Sequence, residues 1–358
     1  MSELGKKSHI VFVGAGAVGG YVSGHLAHAG YDITVVDPWP ENVEAIRKDG
    51  LRLTGTTPAE TLTGKPRALH LCDVPQLAHE KPFDVAFVCM KSYDTSWAAT
   101  LIKPYLAENG FIVSLQNGIN EERIASVIGW GKTVGCIASS IAVELFAPAQ
   151  IHRGVPKGGE KHTVFRVGEP HGRLTPRVTA LAEMLKLTDS SKTTTNLWGE
   201  RWSKLVLNSM QNGMSAATGL SGNEMAARQD IRRGVVRIGG EAVNVGMALG
   251  YPLEEIFHCA PEHFLGAYKG DGAARDKAEA AIQKQAIGRS DKQRPSMGQD
   301  MAKGRRTEIE FLNGLVVARG AELGIDCPVS AAMVRCVQRV ERGEVKQGPN
   351  AVSEVLNA

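Results

Sequence analysis

A glycine-rich turn directly after a short apolar run is the feature that most restricts how this chain can fold. Residues 10–13 form the apolar run, and the turn opens an amphipathic pattern that continues to His28. In such a strand–turn–helix unit, Gly14 permits the tight turn, Gly16 lets the backbone approach a pyrophosphate, and Gly19 lets helix and strand pack closely. N–H groups at the helix start can then bind phosphate oxygens. The pattern predicts a dinucleotide site made by Gly14, Ala15, Gly16, Ala17, Val18 and Gly19; the alternative is a glycine turn of another α/β fold.

Asp37 follows the second apolar run, residues 33–36, and lies at about the distance from the glycines expected for an acid that binds the adenine ribose. A carboxylate at this position repels a 2′-phosphate, and the following Pro38-Trp39-Pro40 provides no cation. Asp37 therefore favours NAD(H) over NADP(H) as the cofactor. The alternative is a solvated aspartate that caps the next helix near Glu41.

The hydrophobic pattern divides the chain into two parts. Short apolar runs at 10–13, 33–36, 85–89 and 111–115 alternate with helical patterns, as in parallel strands buried on both faces. After about residue 195, apolar residues recur at helical spacing over 202–217, 231–249 and 297–323. We predict a doubly wound, mainly parallel Rossmann α/β domain over residues 7–194 and an all-α substrate-binding and catalytic domain over 195–346. A polar, strand-poor segment at 54–82 and a charged segment at 269–295 interrupt this plan.

Composition narrows the classes of function. The 358 residues exceed what one core usually holds, and the net charge of +3 comes without a basic run that could follow a phosphate backbone. We therefore expect no nucleic-acid partner. The chain leads into its first strand without an apolar signal region and contains no membrane-length apolar run, so we expect a cytoplasmic protein without a membrane partner. The six cysteines lack metal-ligand spacing and are interpreted as small buried hydrophobes, and no metal site is predicted.

Three polar side chains share one face of a predicted helix in the second half. Lys204, Asn208 and Asn212 stand at positions i, i+4 and i+8 among apolar residues. Because the helix is expected to be largely buried, its ammonium and carboxamides need partners. A structural polar network would satisfy them, and so would a bound ketone with its polar neighbours.

Several motifs occur in a compatible order along the chain. They are Val88-Cys89-Met90-Lys91-Ser92, Leu115-Gln116-Asn117-Gly118, the Lys204, Asn208 and Asn212 set followed by Met214-Ser215-Ala216, Ser296-Met297 with Arg306-Thr307-Glu308-Ile309, and Gly324-Ile325 with Pro328. With these motifs the sequence resembles the ketopantoate reductase family over nearly its whole length. The resemblance is more specific than the glycine turn alone, since it rests on several separate motifs.

The resemblance implies a role for each residue on the helix face. Lys204 is the general acid/base that protonates the ketone oxygen as hydride arrives at its carbon, and Asn208 and Asn212 orient the lysine and that oxygen. This chemistry is coherent, because a cationic acid placed where negative charge develops stabilises the transition state more than the ground-state ketone.

The resemblance also implies substrate contacts in the second half of the chain. Glu308 accepts a hydrogen bond from a substrate hydroxyl and completes the catalytic set, and Ser296 donates to the substrate carboxylate. For Glu308 the alternative is an ion pair with Arg305 or Arg306, and for Ser296 it is a helix N-cap before the following methionine.

In the first half, the resemblance implies that Asn117 positions the nicotinamide against the substrate and that Lys91 supports this pocket. Two positions depart from the family pattern. Family members carry a basic residue where this chain has Asp37, and many carry an asparagine where it has Gln293. The first departure concerns the cofactor and the second the substrate.

Three hypotheses follow for the function. The leading one is a hydride transfer between a nicotinamide cofactor and a 2-oxo acid/2-hydroxy acid pair, with a small-molecule carboxylate as substrate. The second is an NAD-dependent catabolic dehydrogenase of another hydroxylated substrate, of the D-2-hydroxy acid type. The third is a non-catalytic protein that senses NAD(P). A homodimer is predicted, because a large helical domain with apolar faces can bury them against a second copy.

Overall fold

In the computed structural model, residues 4–287 and 294–358 are described, and the chain divides into the units Met1–Leu197 and Trp198–Ala358. All strands of the described residues lie in the first unit, whereas the second unit is built from helices. This confirms the predicted fold class of an α/β domain plus an all-α domain. The limits 7–194 and 195–346 stay predictions of domain extent.

The first unit alternates strands and helices. Its strands are β1 (His9–Val13), β2 (Asp32–Val36), β3 (Leu51–Thr54), β4 (Leu62–Gly64), β5 (Arg67–Leu69), β6 (Phe83–Val88), β7 (Leu106–Ser114), β8 (Thr133–Ala138), β9 (Val143–Ala147), β10 (Gln150–Arg153), β11 (Phe165–Gly168) and β12 (Ser191–Thr194). Its helices are α1 (Ala17–His28), α2 (Pro40–Asp49), α3 (Thr95–Ile102), α4 (Glu121–Ile128) and α5 (Pro176–Leu185). The four strands predicted from apolar runs correspond to β1, β2, β6 and β7.

The main sheet has eight strands in the order β12-β11-β8-β7-β6-β1-β2-β5. All neighbouring pairs in it are parallel except β11 with β8. Alternate residues of β1 enter two different cores, since Ile10 and Phe12 belong to one cluster and Val11 and Val13 to another. Burial on both faces explains why this strand is a continuous apolar run.

A second sheet, in the order β4-β3-β10-β9, was not predicted from the sequence. It packs against α1 at a close backbone approach, because a Cβ on Gly64 would overlap the Gly24 carbonyl. Strand β4 of this sheet and strand β5 at the edge of the main sheet fall inside segment 54–82, so the interpretation of that segment as strand-poor was incomplete. Each of the two strands has only three residues, which is too short to produce a recognisable alternating pattern.

The second unit contains the remaining helices. They are α6 (Leu197–Thr218), α7 (Gly222–Ala227), α8 (Gln229–Ala248), α9 (Pro261–Tyr268), α10 (Gly272–Ala286), α11 (Ser296–Ala302), α12 (Asn313–Glu322), α13 (Pro328–Glu341) and α14 (Ser353–Asn357). Two predicted helices correspond to α6 and α8, and the charged segment contains α10. No described helix is long and apolar enough to cross a membrane.

The predicted helical stretch 297–323 is interrupted in the structure. Helix α11 ends near Gly304, which has φ +62°, and the Arg305 N–H returns to the Asp300 carbonyl at 2.9 Å. A glycine with positive φ after a helix is a common helix stop. A loop therefore carries Thr307 and Glu308 between α11 and α12.

The cysteines are distributed largely as interpreted from the sequence. Cys136, Cys259, Cys327 and Cys336 are buried and Cys89 is half-buried. Cys72 is exposed, so its interpretation as a core residue was wrong. It lies in the 3-10 segment Leu71–His79, where the buried positions are Val74 and Leu77.

Candidate functional site

The glycine turn connects the end of β1 to the start of α1. Gly14 has φ +102°, and its N–H donates to the Val36 carbonyl at 2.8 Å. A Cβ on Gly19 would overlap the Gly14 carbonyl oxygen and lie 2.7 Å from the Cβ of Cys89, whereas a Cβ on Gly16 would meet nothing within 4 Å. Two glycines are thus needed for the turn and for helix–strand packing, and Gly16 borders open space where a pyrophosphate can approach.

The topology places this turn where dinucleotides bind in open α/β sheets. Strand β1 lies between β6 and β2. The sheet therefore extends from β1 in one direction through β2 and in the other through β6, and the strand order reverses at β1. Ligands of such sheets bind beyond the carboxyl ends of the strands at this switch point. The fit of Gly16 and the helix start to a phosphate group supports a nicotinamide dinucleotide here.

Asp37 is buried beside the turn, with 6% of its surface exposed. Its Oδ2 accepts the Ala15 N–H at 2.7 Å, and its Oδ1 accepts the Trp39 N–H at 3.0 Å. The alternative of a solvated helix cap is therefore wrong, and Trp39 is the N-cap of α2. A carboxylate at this position can accept hydrogen bonds from ribose hydroxyls.

Burial raises the pKa of the Cys89 thiol well above its ordinary value, with a smaller contribution from Cys136. Cys89 follows β6, and its N–H donates to the Val13 carbonyl at 2.9 Å. The thiol is therefore a neutral packing group behind Gly19 rather than a nucleophile.

A buried polar network supports the loop that carries Asn117, and sequence reasoning missed it. The Asn117 carbonyl accepts from Asn120 Nδ2 at 2.8 Å and from Ser92 Oγ at 3.3 Å. Thr95 Oγ1 donates to Asn120 Oδ1 at 3.2 Å and accepts from Gln116 Nε2 at 2.8 Å. The second asparagine, three positions after the first, was the signal that could have identified it.

Lys91 lies in the loop after β6, as its motif suggested, and immediately precedes the 3-10 segment Ser92–Asp94. The network above joins that segment to the loop after β7. The structure therefore brings the predicted Lys91 and Asn117 positions to the carboxyl ends of two neighbouring strands. Their roles toward cofactor and substrate stay predictions.

Helix α6 carries Lys204, Asn208 and Asn212 on one face, as predicted. Lys204 is half-buried and makes interactions within the protein. Asn208 Nδ2 is buried and has no hydrogen-bond partner among the described residues. An unpaired buried donor costs free energy unless a ligand or water accepts from it, so this atom is available to donate to a polar group bound at the face.

Asn212 connects this face to the start of α11. Its Oδ1 accepts the Met297 N–H at 3.3 Å, and the neighbouring Ser296 is the exposed first residue of α11. Pro295 is the N-cap, so the interpretation of Ser296 as the cap is wrong. Gln293 lies outside the described residues.

Glu308 is 6% exposed and interacts within the protein. The following Ile309 packs near Gly213, where a Cβ would lie 3.0 Å from Ile309 Cδ1. Arg306, one of its proposed ion-pair partners, pairs with Glu310 at 2.9 Å. The structure thus brings the Glu308 loop beside the part of α6 that carries Asn212.

Asn313, on α12, is a second residue that sequence reasoning missed. It is fully buried, and its Nδ2 donates to the Ser209 carbonyl on α6 at 3.1 Å. A lone asparagine in a helical pattern gives no sequence signal for such a contact. It fixes α6 next to Asn208.

Replacing Gly19 with alanine should weaken NADH binding at least about tenfold and destabilise the first unit by roughly 1–3 kcal/mol, because the added methyl forces the turn away from β6. Titration of NADH by fluorescence and thermal unfolding would measure both effects. Gly131→Ala is the matched control, since a Cβ there meets nothing within 4 Å. Unchanged NADH affinity in Gly19→Ala would exclude the turn as the cofactor site.

Comparison with known proteins agrees with this architecture. The model of ketopantoate reductase PanE/ApbA matches residues 10–159, and the model of its C-terminal part matches residues 196–341. The 2-dehydropantoate 2-reductase of Archaeoglobus fulgidus is 29% identical over 340 residues, covering 93% of this chain and 98% of that protein.

Solved structures show the same likeness. A PanE/ApbA family ketopantoate reductase from Ralstonia eutropha JMP134 has a TM-score of 0.73 at 27% identity, covering 94% of this chain and 99% of that chain. D-mandelate dehydrogenase in a ternary structure with NADH and anilino(oxo)acetate has a TM-score of 0.76, with 94% of this chain and 100% of that chain covered. Its identity is 19%, so this second likeness concerns the fold alone.

The two family models describe successive parts of one family, and together they span well over half of the chain. The order of the motifs and the fold agree with them. This chain therefore belongs to the ketopantoate reductase PanE/ApbA family and is a nicotinamide-dependent oxidoreductase.

Proposed function

We propose that this protein reduces a 2-oxo acid, ketopantoate or a close relative, to the 2-hydroxy acid with NADH. The observation that carries the proposal is the polar face of α6, where Lys204 lies one helical turn from the buried Asn208 Nδ2, which has no partner in the described part of the chain. A ketone oxygen is an acceptor that such a face can bind. The relatives named 2-dehydropantoate 2-reductase support the substrate class.

The chemistry requires one hydride and one proton. A bound nicotinamide would supply a hydride to the carbonyl carbon, and the carbonyl π electrons would then pass to the oxygen. Lys204 donates a proton to that oxygen, so the product is a neutral hydroxyl group. Asn208 donates from Nδ2 to the same oxygen and stabilises its developing negative charge.

The remaining residues would bind and orient the substrate. Glu308 accepts a hydrogen bond from a substrate hydroxyl, and Ser296 Oγ donates to the carboxylate. Asn212 Nδ2 is available for the substrate side, because its Oδ1 already accepts the Met297 N–H. Asn117 and Lys91 would support the nicotinamide side of the reaction.

The position of Asp37 supports NAD(H) as the preferred cofactor. Its carboxylate is held beside the glycine turn by the N–H groups of Ala15 and Trp39. A 2′-phosphate brought to this carboxylate would meet a like charge in a buried position. The fold neighbour D-mandelate dehydrogenase was solved with NADH.

Steady-state kinetics with ketopantoate and other 2-oxo acids would test the proposal. We expect reduction of at least one of them, with kcat/KM for NADH at least about tenfold above that for NADPH, equivalent to about 1.4 kcal/mol. A strong preference for NADPH would contradict the role of Asp37. It would leave the reaction itself intact.

A second candidate is an NAD-dependent dehydrogenase that oxidises a D-2-hydroxy acid, and Asp37 favours it because catabolic oxidation commonly uses NAD. Oxidation of D-2-hydroxy acids without turnover of ketopantoate would select this candidate. NADH binding without turnover of any tested acid would contradict both and support a sensing role. We also propose that the protein is cytoplasmic and forms a homodimer.

A further inference from the structure

The helical unit contains a cavity of about 310 Å³. Its lining includes none of the residues proposed to take part in the reaction. Helices α8, α9, α10 and α13 enclose it, and three arginines, Arg233, Arg237 and Arg275, contribute to its wall. Tyr268 and the start of α13 complete the lining. A cavity of this size is at the lower end of those that hold small ligands.

The cavity lies on the side of α8 that faces away from α6. Gly239 and Gly246 of α8 face α6, where an added Cβ would approach Met210 and Trp202 closely. Helical spacing places Arg233, Arg237 and Glu241 on the other side of α8. The cavity is therefore separated from α6 by the width of α8.

Two of the arginines are only weakly neutralised by the protein. Glu279 forms its short contact with Arg232, at 2.9 Å through Oε2. Its Oε1 lies 3.4 Å from Arg233 Nε and 3.8 Å from Arg275 Nε. Arg275 also contacts the exposed carboxylate of the adjacent Asp276 at 3.0 Å. One buried carboxylate is thus shared among three guanidinium groups.

The cavity wall also contains a carboxylate, Glu241, which accepts hydrogen bonds from the start of α13. Both oxygens of Glu241, which is fully buried, accept backbone N–H groups of α13, from Val329 at 2.8 Å and Ser330 at 2.8 Å. Its charge is therefore offset by the positive end of that helix. Arg237 donates to the Leu356 carbonyl at 3.1 Å and to an oxygen of Ala358, the last residue of the described chain.

Like charges that converge on one cavity repel one another unless an anion lies between them. Arginine is the side chain whose planar set of donors best matches the oxygens of phosphate and carboxylate groups. The side chains of Arg233 and Arg275 are 51% and 43% exposed, so a solute can reach their donors. The apolar lining, Val236, Ala267 and Val329, would contact the uncharged part of such a solute.

We propose that this cavity is a second ligand site, which binds a small oxyanion-bearing metabolite, a phosphate monoester or a dicarboxylate, through Arg233 and Arg275. The site is separate from the substrate contacts proposed above. It does not depend on the identity of the reduced 2-oxo acid.

The test is calorimetric titration of the full chain with inorganic phosphate and, separately, malonate, with chloride at matched ionic strength as the reference. We expect saturable binding of at least one of the two, weakened at least about tenfold in the double variant Arg233→Gln/Arg275→Gln. Tighter phosphate binding would assign a phosphate group, and tighter malonate binding a dicarboxylate.

Arg335→Gln is the matched control for charge, because Arg335 is exposed, pairs with Glu354 at 2.6 Å and does not line the cavity. It should bind the anion like the parent protein. Gly19→Ala controls for anions at the glycine turn and should also keep the binding. Absence of saturable binding, equal loss in Arg335→Gln, or loss in Gly19→Ala but not in the double arginine variant would each overturn the proposal.

Discussion

Replacing Lys204 with alanine is expected to reduce kcat for 2-oxo acid reduction at least about 100-fold, the usual contribution of a positioned general acid. The substitution removes the proposed proton donor to the substrate oxygen, so the developing alkoxide would be left without its acid. Single-turnover measurements of NADH oxidation would show whether the chemical step is the one that slows. NADH affinity should stay unchanged, because the glycine turn and Asp37 belong to the other unit.

Lys277→Ala is a suitable control for this experiment, since Lys277 is an exposed lysine on α10 of the same unit. It should leave kcat unchanged. Asn208→Ala should lower kcat less than Lys204→Ala, because it removes a neutral donor and leaves the acid in place. If Lys204→Ala retains full turnover with the folded state intact, the lysine has no part in proton transfer.

Replacing Asp189 with asparagine is expected to destabilise the first unit by about 3–5 kcal/mol, the usual cost of removing one partner of a buried ion pair. The side chains of Arg153 and Asp189 are 0% and 1% exposed, and Arg153 Nη2 lies 2.6 Å from Asp189 Oδ2. Asp189 also accepts the Gly158 N–H at 2.9 Å. Asparagine keeps the size of the side chain but leaves the guanidinium charge buried without its counter-charge.

Urea unfolding would measure this effect. Glu183→Gln is the control, because Glu183 forms an exposed pair with Lys186 on α5 and should change the stability little. Adding Arg153→Met to Asp189→Asn should recover part of the loss, since no unpaired charge then remains buried. A loss in Asp189→Asn no larger than that in Glu183→Gln would show that the pair does not stabilise the fold.

Local sequence patterns predicted the features that depend on neighbouring residues. The strand–turn–helix unit with its glycines could be predicted because the constraints on Gly14 and Gly19 arise within a few residues of the turn and from one adjacent strand. Helix α6 could be predicted because a 22-residue helix presents a clear 3.6-residue period. The spacing of Lys204, Asn208 and Asn212 then placed the three side chains on one face.

Short or mixed segments could not be predicted in this way. The strands β4 and β5 have three residues each, and they join different sheets, β4 beside β3 and β5 beside β2. The interruption between α11 and α12 depended on Gly304, one of 40 glycines, most of which carry no helix-stop signal of their own. The local sequence pattern does not predict these strands or this helix end, because the contacts that stabilise them come from other elements.

The sequence by itself determined the fold class, the glycine turn, the polar face of α6 and the family. The tertiary structure decided which polar groups have partners: it buried Asp37 on the N–H of Ala15, left Asn208 Nδ2 without a partner among the described residues, and shared Glu279 among three arginines. The physical reason is the distance along the chain over which each kind of interaction acts. Secondary structure and motif spacing follow from nearby residues, whereas desolvation and hydrogen-bond satisfaction depend on every element that packs around a group.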